Sequence, residues 1–361
     1  MTLESAAGAT TIATMPTCIT GRRLNNIAEL RLLFAASVVL SHAATLLGDE
    51  GYRLLRTVLN SEAAVQGFFI LSGYLVCGSY ARIQHPAAFY RRRFLRIYPA
   101  YAAAVVILTA ASLLQSRMQD VSVAWSELPR YFVANLLTLN FFKPTIDGMF
   151  ADNAFQAVNG ALWSIKVEIM FYAILPVVYA LARRWTFLTV SMALVVAGVL
   201  WWPLLRVVGD WFGYTPPLSL KFQLPGQIHF FGLGIALFAN ADGSITRGGL
   251  TLVCAVGIGL LMLVAQTEDA VHVLALVTLV GGISRLPQVR DMFGKQDISF
   301  GIYLCHFPII QMLLAGGAAK WPFALYLATV CVLAIGYGLL SWNLIERPVL
   351  AIRRKPRREN L

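Results

Sequence analysis

IAELRLLFAASVVLSHAATLL, residues 27–47, is an unbroken apolar run that carries one arginine, Arg31, and one histidine, His42, eleven positions apart. A helix turns about 100° and rises about 1.5 Å per residue, so eleven steps leave the two side chains about 20° apart around the axis and about 16 Å apart along it. The run is long enough to cross the hydrocarbon of a bilayer, which takes about 20 apolar residues. A guanidinium and an imidazole would then share one stripe of one membrane helix at two depths. Ionisable groups in such a span are costly, face the bundle interior, and mark a functional pathway by default.

Composition extends this reading to the whole chain. The protein has 361 residues, of which 58% are hydrophobic and 13% charged, with a mean hydropathy of +0.67; a soluble domain averages about 25% charged residues. A soluble fold is excluded. The expectation is an all-α polytopic membrane protein with one domain, 25–346, between a polar cytosolic tail at 1–24 and a basic cytosolic tail at 347–361. The first 24 residues lack a basic start followed by an apolar core, so no cleaved signal is expected. The five cysteines form no CxxC and no metal-ligand spacing, and GxSxG, HExxH and the phosphate-loop pattern are absent. No metal or redox chemistry is implied.

Apolar windows in order give ten spans: 27–47, 61–80, 97–115, 161–182, 187–208, 222–240, 249–267, 270–286, 298–318 and 322–345. The stretch 131–142 is too short to cross and carries Asn135 and Asn140, which suits an interfacial or re-entrant helix. Short cytoplasmic loops collect Lys and Arg. Ten spans starting from a cytosolic N-terminus put the richest basic groups inside, among them Arg91, Arg92, Arg93 and Arg96, and Arg353, Arg354, Lys355, Arg357 and Arg358. Counting 131–142 as a crossing would send the later clusters outside. Both termini are therefore expected in the cytosol, and the net charge of +11 reflects topology and not nucleic-acid binding.

With this direction Arg31 sits near the inner end of span one and His42 in its outer third. Span four runs inward from residue 161, which puts Glu168 about 10 Å from the outer end, level with His42. His306 lies mid-way along span nine. Three titratable groups are expected to converge in the outer half, with Arg31 beneath. On the inner side Arg92, Arg93 and Arg96 stand at helical spacing and suit a phosphorylated ligand, although basic flanks also serve topology and headgroup contact.

Together these residues resemble the acyltransferase-3 family of bacterial integral membrane acyltransferases. The resemblance is carried by RLLFAASVVLSH at 31–42, the family's Arg-x10-His, GFFILSGYLV at 67–76, RRRFLRIYPA at 91–100, ALWSIKVEIMFY at 161–172, ISFGIYLCHFP at 298–308 and IERP at 345–348. It implies a ten-helix domain in the bacterial inner membrane that moves an acyl group, usually acetyl, from cytosolic acyl-coenzyme A to a hydroxyl of a glycan, glycolipid or related acceptor. It assigns His42 as catalytic base and Arg31 as its partner, Arg93 and Arg96 to coenzyme A phosphates with Arg92 beside them, and Glu168 to the catalytic chamber. Acceptor contacts are expected from His306, Lys166, Trp163 and Tyr303. Leu32 stands where the family commonly has glycine, and Lys166 where the residue is often small or uncharged, which bears on the acceptor more than on the reaction. The alternative class is a proton-coupled transporter of a glycan or small molecule, with Arg31, His42, Glu168 and His306 as a relay. Repeated halves would favour it, and 1–180 and 181–361 show none.

Overall fold

A computed structural model of the protein describes residues 26–48, 59–239, 280 and 296–352. Every regular element among them is helical, and the one extended pairing is an isolated bridge between Thr145 and Ala157. The helices are α1 (Ile27–Leu47), α2 (Ser61–Ile83), α3 (Pro86–Met118), α4 (Leu128–Leu136), α5 (Trp163–Arg184), α6 (Phe187–Trp211), α7 (Leu224–Ala239), α8 (Ser299–Ala315), α9 (Phe323–Ser341) and α10 (Arg347–Ile352). Among the described residues, seven helical stretches are long and apolar enough to cross a membrane, and α8 is a shorter apolar helix. This is the architecture of a polytopic membrane protein. The spans expected at 249–267 and 270–286, the tail at 1–24 and most of the tail after 352 lie outside the described residues.

Local sequence sets the helix ends. The Asn60 side chain accepts from the Ala63 N–H at the start of α2. His85 accepts from Ala88 N–H ahead of Pro86 at the start of α3, where proline's missing N–H costs nothing. Gly48, at φ +74°, closes α1.

Small residues then decide how closely the helices cross. A Cβ on Gly73 of α2 would stand 2.2 Å from the Phe231 carbonyl oxygen, and one on Gly234 of α7 would stand 2.1 Å from that of Ile70. The two backbones meet with no room for a side chain, as small residues permit between membrane helices. This is the packing role of the glycines in GFFILSGYLV. Elsewhere α1 and α8 lie side by side and run the same way, since Arg31 meets Asp297 and His42 meets His306.

The short element expected at 131–142 is the helix α4, residues 128–136, followed by turns. Leucine and proline open it and Thr138, at φ +62°, ends its course. Tyr131 bonds Thr109, and the Asn135 carbonyl accepts from Tyr101. As α4 advances one turn, its partners step back along α3 by two, so it runs antiparallel beside α3. The chain from there to α5 folds over its own small core of Val123, Tyr131, Ile146, Met149, Phe150 and Val158. It is pinned to α8 by Gln311, whose amide donates to the carbonyls of Phe155 (2.5 Å) and Ala157 (2.8 Å).

Candidate active site

A cavity of about 90 Å³ runs between α1, α2, α3, α5 and α8, with room for about three waters. Arg31, Arg93 and Arg96 stand at one end, and Phe68, Ser164 and Tyr303 close the other, with Glu168 and Tyr172 along the α5 wall.

The arginines are not equivalent. Arg31 Nη1 and Arg96 Nη2 both donate to Asp297 Oδ2, each at 2.5 Å, and Arg96 Nη1 donates to Glu346 Oε2 at 3.1 Å. Asp297 also accepts from the Ser299 hydroxyl at 2.6 Å. Burial works against the charge on Asp297, but Arg31 and Arg96, with Ser299, hold its carboxyl below the ordinary carboxylate range. Glu346 reaches Arg96 from a π-helical turn, Trp342–Glu346, a distortion often found at functional sites. Arg93 has no carboxylate partner among the described residues. Its guanidinium lies 5.5 Å from the ring centroids of both Phe89 and Tyr172, and its buried Nε makes no hydrogen bond. Arg92 is exposed outside the cavity.

Beyond Tyr303, about one helical turn further along α8, stands the histidine pair. His42 Nδ1 lies 2.8 Å from His306 Nε2. The ring planes are 7° apart and the centroids 5.1 Å apart; with so short an N···N separation, the rings lie edge to edge in nearly one plane. His306 Nδ1 lies 2.7 Å from the Tyr303 carbonyl oxygen. His306 is fully buried, at 0% exposure, whereas His42 is only partly covered and its Nε2 bonds no described residue. Of the two, His42 is the less buried.

Glu168 does not join them. Its carboxylate accepts from Ser72 at 3.4 Å and from the Tyr172 hydroxyl, which puts it mid-cavity, above the arginines and below Tyr303. The expected shared depth with His42 fails because α5 starts well inside the molecule. The Asn159 side chain donates to the Leu304 carbonyl at 2.9 Å, a group without its helical N–H partner because Pro308 has none. A Cβ on Gly160 would stand 2.7 Å from the Phe307 ring. The residues that lead into α5 are thus level with the histidines, and Glu168, on the second turn of the helix, lies deeper.

Lys166 and Trp163 lie on the other side of α5. Lys166 donates to Gln223 and sits 4.0 Å from the Phe141 centroid, while Trp163 packs on Phe69 and Phe222. Neither lines the cavity. Tyr303 does, hydrogen-bonded to Ser164 at 2.6 Å. Asp297 was missed in the sequence, where its signal was a lone acid placed directly before ISFGIYLCHFP on the basic side of a span.

The described helices thus enclose a cavity with three arginines at one end and an imidazole pair beyond the other. The profile of the acyltransferase-3 family, described as an acyltransferase domain, matches residues 26–342, and the chain belongs to that family. It is similar to nodulation protein 10 of Rhizobium leguminosarum bv. viciae, with 28% identity over 91% of this chain and 94% of that protein. The O-acetyl transferase of Shigella phage Sf6 is 25% identical over 89% and 94%. The exopolysaccharide production protein ExoZ of Rhizobium meliloti is 27% identical over 80% and 89%. No solved structure gives a significant match.

Proposed function

We propose that this protein is an inner-membrane O-acyltransferase that moves an acetyl group from cytosolic acyl-coenzyme A to a hydroxyl of a carbohydrate or lipid-linked carbohydrate, with both termini in the cytosol. The observation that carries this reading is the position of His42, partly open, with Nε2 engaged by no described residue, beyond the end of a cavity whose other end holds three guanidiniums. Arg93, which has no carboxylate partner and a buried Nε without a hydrogen bond among the described residues, is the residue best suited to a donor phosphate, and Arg31 and Arg96 can exchange Asp297 for one. The names of two relatives, an O-acetyl transferase and an exopolysaccharide production protein, point to a carbohydrate acceptor.

An alcohol is a poor nucleophile until a base takes its proton, a task suited to histidine. His42 Nε2 takes the hydroxyl proton as the oxygen bonds to the thioester carbonyl carbon. The C–S bond then breaks, the proton passes to the departing sulfur, and ester and free thiol leave. Glu168, with Tyr172 and Ser72, serves as a polar wall for the acyl donor, and Tyr303 marks the passage to the histidines.

Membranes containing the protein, given acetyl-labelled coenzyme A, should move label into the carbohydrate fraction. Movement of protons or solute by the purified protein in liposomes, without donor consumption, would replace this reading with transport.

A further inference from the structure

We infer that His306 is a positioning residue that fixes the tautomer of His42, holding the hydrogen on His42 Nδ1 and the lone pair on His42 Nε2. Its use in catalysis rests on the acyl-transfer reading above; the tautomer itself does not.

The Tyr303 carbonyl can only accept, so its 2.7 Å contact requires a hydrogen on His306 Nδ1. A neutral His306 then has a bare lone pair on Nε2. The nitrogen facing it, His42 Nδ1 at 2.8 Å, must carry the hydrogen of that bond. In neutral His42 the remaining nitrogen, Nε2, is left unprotonated. The other assignment needs a cationic His306, but its ring is fully buried and meets His42 and the backbone of Tyr303 and Ile302, with no carboxylate partner among the described residues. An unpaired charge there is costly.

The near-coplanar rings aim the Nδ1–H along the His306 lone pair, which also sets the direction of the His42 Nε2 lone pair. The arrangement serves each step. When Nε2 takes the acceptor proton, the imidazolium still donates from Nδ1 to His306 Nε2, and His306 need not gain or lose a proton. The role resembles that of an orienting carboxylate beside a catalytic histidine, filled here by a neutral ring whose own tautomer is set by the backbone.

Two conservative variants separate this role from mere packing. The terminal amide of His306→Gln can place an oxygen where Nε2 was and accept from His42 Nδ1–H. The shorter amide of His306→Asn can reach the Tyr303 carbonyl but not His42. His306→Gln should keep acyl transfer within about threefold of wild type, and His306→Asn should lower kcat about 100-fold, the scale of general-base catalysis, with donor KM unchanged. Equal activity in the two variants, or a loss confined to KM, would overturn the assignment. Histidine-labelled protein in detergent reports it without any substrate. The ¹⁵N and ¹³Cδ2 signals of His42, identified by their absence in His42→Ala, should have the Nδ1–H pattern, and an Nε2–H pattern would overturn it even in active protein. An Nδ1–H pattern in protein that transfers no acetyl group would uphold the tautomer while removing the enzymatic reading.

Discussion

Asp297→Asn keeps the shape of the residue that ties Arg31 to Arg96 and removes its charge. In the native protein one carboxylate oxygen accepts both guanidinium N–H groups at 2.5 Å, and all three side chains are about four-fifths covered. A hydrogen bond to a charged partner contributes about 1.5–3 kcal/mol and a neutral one about 1 kcal/mol. Neutralising the shared acceptor of two such bonds should therefore cost about 2 kcal/mol, or about 30-fold in the ratio of folded to unfolded protein. Arg96 retains Glu346 at 3.1 Å, so most of the loss falls on Arg31. Denaturant titration of purified protein in detergent reads the change. A double-mutant cycle with Arg31→Gln should return a coupling of about 1 kcal/mol. The pH dependence has a definite sign. The carboxyl of Asp297 is depressed in the folded protein, so its contribution is complete above the unfolded carboxylate pKa and disappears as pH falls through the lower folded value. The gap between wild type and Asp297→Asn should thus be widest near neutrality and close in acid. A variant within about 0.5 kcal/mol of wild type at pH 7, the spread of ordinary surface changes, or an additive cycle, would refute the bridging role.

Other expectations concern neighbouring parts of the same frame. Arg93→Ala should raise donor KM about tenfold with little change in kcat, as lost uniform binding does, and should barely alter stability. Arg96→Ala should instead cost about 3 kcal/mol, because Glu346, at 1% side-chain exposure, would lose its cation in a buried site; equal stabilities for the two variants would contradict the division between them. Gly73→Leu should sharply reduce accumulation of folded protein, at a cost of about 3 kcal/mol, since its first side-chain atom meets the Phe231 carbonyl at 2.2 Å; normal accumulation would deny the backbone crossing. Gln311→Leu should raise amide exchange in residues 153–157 while leaving that of α2 and α7 unchanged, because its amide group holds that segment by several hydrogen bonds.

What the sequence made legible was mostly local. The register of Arg31 and His42 on one helix follows from spacing alone, and both do face interior partners, Asp297 just before α8 and His306 on it. The brevity of the segment at 131–142 was legible from its length and its two asparagines; the helix there spans Leu128–Leu136, and Asn135 donates to the carbonyls of Tyr131 and Lys143. Where a quantity depended on a distant contact, sequence reading lost it. Counting inward from the apolar boundary at 161 assumed that the boundary lay at the membrane surface, but the contacts of Asn159 and Gly160 with α8 set it far lower. Glu168 moved with it. The pairing of His42 with His306 needs α1 and α8 to be parallel neighbours, which is a property of the fold and of neither motif. Asp297 stayed hidden because an acid at a span boundary looks like a solvated end group until two arginines from other helices are found on it.

The most direct measurement of the central claim is the O-acetyl content of surface carbohydrate from cells carrying either the wild-type protein or His42→Ala at equal membrane levels, read by mass spectrometry. The expected result is acetylated carbohydrate with the wild type and none above background with His42→Ala. Equal acetylation in the two strains would contradict the placement of the acceptor's proton on His42.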